Sequence, residues 1–166
     1  MKKIVIFAFI AALLTTGCHK KSEQELLRDH LQSCTEQYVK EELQISNPDS
    51  VVINRIDTVT EMGYAKLVLE LLENLEYQYK LMYDEATLAN DDRKIDNLEI
   101  YLRQISTQTD YFRTIEETES ADNQNILLYM ISAAYYKEGE GNDFICFAKP
   151  DFSLHIIDPF ADNLLQ

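Results

Sequence analysis

The chain predicts an α+β fold: an N-terminal helix, a first strand, a helical hairpin inserted after that strand, and a C-terminal three-stranded antiparallel meander. Three observations carry this. From residue 61 to residue 117, apolar residues recur at helical spacing with one polar break. The stretch "VVINRIDTVT" is rich in β-branched residues. Beyond residue 125, short apolar runs are separated by turns containing Gly or Pro.

The first helix begins at Ser22. Ser22 and Glu25 have the spacing of a capping box, in which each side chain satisfies the other's backbone N–H. Leu27, Leu31, Cys34 and Tyr38 then form one stripe, while Glu36, Lys40 and Glu41 take the wet side. The helix should fade near Gln44. Asn47-Pro48-Asp49-Ser50 is a turn, and a strand follows from Val51 to about Val59. Strict alternation puts Val52, Asn54, Ile56 and Thr58 on one face, and Val51, Ile53, Arg55 and Asp57 on the other.

Val68, Leu71, Leu72, Leu75, Tyr79 and Met82 mark one helical face. After Asn90-Asp91-Asp92, Ile95, Leu98, Leu102 and Ile105 mark another. The spacing predicts two helices, about 61–89 and 92–117, with an Asp capping the second. Ile126 to Tyr136 is apolar on both alternating faces, which fits helix or strand. The following "KEGEGND" decides for a strand, because Gly139 and Gly141 suit a hairpin turn and "FICFA" beyond them is strand-like. Pro150-Asp151 turns again. Phe152, Leu154 and Ile156 alternate with Ser153 and His155, so His155 should face solvent or a cleft, and Asp158-Pro159 ends the strand. One helix wrapped by an antiparallel sheet resembles the cystatin-like and NTF2-like arrangements, here with a helical hairpin inserted.

Before all this stands a short leader. Lys2 and Lys3 precede eleven apolar residues, Ile4 to Leu14. At ~1.5 Å per residue that helix is too short for a hydrocarbon core of ~30 Å, and it fits a signal-peptide core instead. Leu14-Thr15-Thr16-Gly17-Cys18 resembles the lipobox of bacterial lipoproteins, and the "TTGCHKK" junction is similar to that of small Bacteroides-type lipoproteins. The resemblance implies that Cys18 carries a diacylglyceryl group after cleavage just before it, and that the chain meets the membrane through this lipid. It implies that residues 1–17 are a signal peptide and 18–21 a tether, and the remaining length, 22–166, suits a single α+β domain. His19, rather than Asp, follows the Cys, which by the same resemblance implies the outer membrane. Lys20 and Lys21 come before Glu23 and Glu25, which implies a periplasm-facing body rather than surface display.

Composition narrows the function. The formal charge is −14, and removing residues 1–17 makes it two units more negative. Nucleic acid is not an expected partner, because phosphate binding needs clustered Lys and Arg. Hydrophobic residues are 46% of the chain, and Gly and Pro number 4 and 3. That describes a folded body, not a disordered one. Cys34 and Cys146 are a candidate disulfide pair in an exported protein, although both sit in apolar patterns where a free Cys packs as a small hydrophobe.

Recognisable catalytic or metal-binding patterns do not emerge. The three histidines lack metal-ligand spacing, and His30, beside the apolar stripe, reads as a partly buried helix residue. A GxSxG nucleophile turn is absent. Asp57 and Glu61 read as acids favoured near a helix N-terminus, and "ANDDRKIDNLE" lacks calcium-loop spacing. The expectation is therefore no enzyme activity, no cofactor and no metal. Ten tyrosines and no tryptophan are the remaining clue. Tyr77, Tyr79 and Tyr83 on the hairpin, and Tyr129, Tyr135 and Tyr136 on a strand, suit either packing or a protein-binding surface. The reading is a lipid-anchored, non-enzymatic binding or assembly module for a protein or peptide partner in the envelope. The alternative is a small-molecule carrier with an apolar pocket between sheet and hairpin.

Overall fold

The computed structural model describes residues 22–118 and 125–161. Helix α1 spans Glu23–Glu41. Its capping box is closed: the Glu25 N–H donates to Ser22 Oγ at 3.2 Å, and the Ser22 N–H donates to Glu25 Oε2 at 2.8 Å. Leu31, Cys34, Thr35 and Val39 are buried along its inner side. Thr35 satisfies its hydroxyl locally by donating to the Leu31 carbonyl at 2.8 Å.

Strands β1 (Ser50–Val59), β2 (Leu128–Lys137), β3 (Glu140–Ala148) and β4 (Leu154–His155) form one antiparallel sheet in that order. The helical hairpin therefore leaves and re-enters the sheet between two neighbouring strands. β2 and β3 join through Glu138 and Gly139, with φ of 54° and 84°. Two successive left-handed residues are what a tight type I′ hairpin needs. Asp49 reinforces the turn by accepting the Glu138 N–H at 2.9 Å. Gly141 lies under the Tyr136 ring, where a Cβ would come 2.8 Å from Cε1.

β1 departs from strict alternation. The register shifts between Ile53 and Arg55, where Asn54 is the extra residue of a bulge. Val51 and Ile53 pair with Tyr135 and Ala133, and Ile56 pairs with Ile131. These residues therefore share the face covered by α1, whereas Val52, Arg55, Asp57 and Val59 take the other. The expected partition of this strand is thus corrected beyond Ile53. Without the bulge, Ile56 would leave the core.

Two clusters hold the molecule together. On one face of the sheet, α1 presses Leu31 and Cys34 onto Ile53, Ile131, Ala133, Cys146 and Ala148. On the other face, at the Val59 end, the base of the hairpin packs Tyr64, Val68 and Leu72 with Val59, Leu128, Ile105 and Phe112. The hairpin consists of α2 (Glu61–Ala89) and α3 (Asp92–Thr118). Thr60 caps α2. Asn90 closes it in the left-handed conformation at φ 51°, and the Asp91 carboxylate accepts the Lys94 N–H at 3.1 Å to start α3. At ~1.5 Å per residue each helix is about 40 Å long.

Further differences from expectation have physical causes. The last strand has two residues, not five. Phe152 sits at φ 66°, inside a turn closed by Lys149 N–H to Ser153 O at 2.9 Å, so it cannot extend. Met82 is 41% exposed, because it stands at the margin of its helical stripe. His30 is exposed, with its ring stacked 4.8 Å from that of Phe152.

Candidate functional site

The six tyrosines divide by location. Tyr77 projects from α2 and is 67% exposed. Tyr79, two residues on, packs against the hairpin core with its ring 5.2 Å from Tyr101. Tyr83 donates its hydroxyl to Glu99 across the hairpin at 3.2 Å. That carboxylate stabilises the neutral phenol and pushes its pKa up. Tyr129 and Tyr135 lie under α1, near Phe152 and Phe144. Tyr136 lies on the opposite face and is 43% exposed. The tyrosines therefore do not converge on one groove. Most are mortar between elements, and Tyr77 and Tyr136 stand out into solvent.

His155 is a second correction, for it is buried rather than facing solvent or a cleft. It pairs with Phe147 in the ladder, so it shares the face on which Phe147 and Met130 meet the hairpin base. Both faces of the sheet are covered at this end.

Cys34 and Cys146 are free thiols within the same buried cluster, one on α1 and one on β3. Burial pushes Cys34 up. It pushes Cys146 up to about 12, with the Cys34 charge adding and the Thr35 hydroxyl partly offsetting. Such thiols are poor nucleophiles near neutral pH. Among the described residues, no group of three or more His, Cys, Asp or Glu side chains could hold a metal ion. Asp57 is paired with Arg55 at 2.7 Å. Cys18 lies outside the described residues.

Sequence periodicity did not single out what the hairpin leaves uncovered. Tyr77, Leu81 and Leu88 fall on one side of α2, turned away from the Val68–Leu72–Tyr79 side that meets α3. They are 67%, 48% and 85% exposed. Their spacing of four and seven residues was a readable signal of a second, narrower apolar line. The junction where a carrier pocket was the alternative is filled by Val59, Tyr64, Leu128, Met130 and Phe147. A larger depression, about 590 Å³, lies between the start of α1 and β1, with Arg28, Asn54 and Thr58 in its lining. No protein-family model matches the chain, and no curated protein or solved structure matches it.

Proposed function

We propose that this chain is a lipid-anchored cell-envelope protein, tethered at the outer membrane through Cys18 with its body toward the periplasm. Its work is to hold a protein partner, without catalysis, on the outer side of α2. The observation that carries the reading is the exposed line Tyr77, Leu81 and Leu88 on a helix whose opposite side packs on α3 and the hairpin core. Lone exposed apolar residues are ordinary, but a helical row of them is the form in which one helix anchors in another's groove. The acidic residues around the line, including Asp84, Glu85 and Asp91, are exposed. They repel anionic head groups, which favours a protein over the bilayer as the occupant. The filled sheet–hairpin junction weighs against the carrier alternative.

The test is a photo-crosslinker placed at Tyr77, and separately at Leu88, in the anchored protein in cells. The reading expects one discrete protein adduct common to both positions, lost when Leu81→Lys is added. Adducts to lipid alone, or none at either position, contradict it.

A further inference from the structure

The two edges of the sheet are treated differently. At β1, α1 reaches over to close the edge: Arg28 Nη2 donates to the Ile53 carbonyl at 2.9 Å, and Gln32 Nε2 donates to the Val51 carbonyl at 3.0 Å. Beyond them the Asn54 bulge bends the strand, and the charged pair Arg55–Asp57 stands guard. These are the usual ways of protecting an edge from further strands. At β3 the protection stops early. β4 pairs only with Phe147 and Ala148, and the chain then leaves the ladder toward Asp158-Pro159. Among the described residues, Glu140–Cys146 has β2 on one side and no strand on the other. Every second residue there turns both N–H and C=O outward.

The side chains along this open edge are suited to a second strand. Ile145 is 53% exposed, and Phe144 is half-buried with its ring 5.6 Å from Tyr38. Glu140 and Asp143 are exposed. A shallow depression of about 470 Å³ lies over the sheet across β1, β2 and β3, not at the open edge itself, with Asn54, Ser132, Asp143 and Ile145 in its lining.

We propose that Glu140–Cys146 is a β-augmentation site for an extended, cationic segment of a partner protein. Charge selects this occupant. A second copy pairing antiparallel about Asp143 would set that carboxylate directly against its own copy, and like charges across a ladder destabilise it. A segment with Lys or Arg opposite Asp143 and Glu140, and apolar residues opposite Phe144 and Ile145, satisfies both charge and packing. Main-chain hydrogen bonds supply affinity and the alternating side chains supply selectivity. The site shares no residue with the outer side of α2, so either can fail without the other.

The probe is the capped peptide Thr-Val-Val-Lys-Thr-Thr-Lys, which places its lysines opposite Asp143 and Glu140 when antiparallel. Amide hydrogen exchange of the folded domain is followed by NMR with and without it. The proposal expects alternate amides of Glu140–Ile145 to exchange freely alone and at least about tenfold more slowly with peptide. It also expects Asp143→Lys to weaken binding by about tenfold, and N-methylation of alternate peptide residues to abolish it. Unchanged exchange at millimolar peptide overturns the proposal. So does equal binding of the version with Glu for Lys, protection on β1 instead, or protection that grows with protein concentration without peptide.

Discussion

At the scale of single residues, backbone conformation and burial make the sharpest claims. Gly139 has φ 84° and open space around its Cα, so an added methyl group there costs only backbone strain. Gly139→Ala should destabilise by about 1 kcal/mol, and Gly139→Asn by less, because Asn tolerates the left-handed region. Urea unfolding of the two variants checks the order, and equal stability of Ala and wild type would refute it. The buried thiols make a pH claim. Their folded pKa values lie above the ordinary thiol value near 9, with Cys146 at about 12. The unfolded chain therefore loses these protons first as pH rises. The stability they support is fully present below pH 9 and is lost as pH climbs toward 12. Cys146→Ala should flatten part of that alkaline decline, with Tyr38 and Tyr83, also raised, contributing to what remains. An unchanged pH slope in the variant would count against this. Residues whose role is local were legible in sequence: Ser22 with Glu25, the Asn90–Asp92 break, and the turn at Gly139. His155 was not. Alternation assigns it a wet face, and only the tertiary fold reveals that both faces of the sheet are covered where it lies.

Among the elements, β1 shows how one residue sets a phase. Val51 and Ile53 are two apart, and Ile56 is three further on. That odd step was the sequence signal of a bulge, and strict alternation overlooked it. Deleting Asn54 should remove the phase correction and turn either the Val51–Ile53 pair or Ile56 out of the α1 interface. Full burial of such a side chain is worth about 1.5–3 kcal/mol, and Ile53 is buried while Val51 and Ile56 are half-buried, so the variant should melt at a lower temperature than wild type. A deletion variant that melts like wild type would show that the bulge is incidental. The hairpin offers a contrast within one element pair. Ile105, fully buried, should cost about 2–5 kcal/mol on truncation to Ala. Leu88, 85% exposed, should change stability by no more than about 0.5 kcal/mol. A Leu88→Ala variant as destabilised as Ile105→Ala would mean that α2's outer side is already covered in the isolated chain. The helices and the first three strands could be read from periodicity and turn chemistry. The shortness of β4 could not, because the left-handed turn at Phe152 leaves no compositional trace.

For the whole molecule, the two-sided sheet explains why so much of the hairpin is free. Only its base, around Tyr64, Val68 and Phe112, is needed to cover the sheet, and the rest extends outward as a pair of helices braced on each other. No helix among the described residues is long and apolar enough to cross a membrane, and the proposed attachment rests on the lipobox resemblance at Cys18. At ~3.5 Å per residue, the tether 18–21 would keep the start of α1 within about 14 Å of the lipid. Two or more acyl chains, at about 0.8 kcal/mol per buried CH₂, make such an anchor durable. The lipobox resemblance supports the proposed tether, and the exposed row on α2 supports the proposed partner surface. The proposed anchor is carried only by a short motif, and the proposed partner surface only by an unburied row, because neither is something a folded core demands. Intact mass spectrometry of the protein isolated from native membranes addresses the central claim most directly. The expected product begins at Cys18 and carries a diacylglyceryl group on sulfur. A free thiol at that position, or a mature chain starting elsewhere, would contradict it.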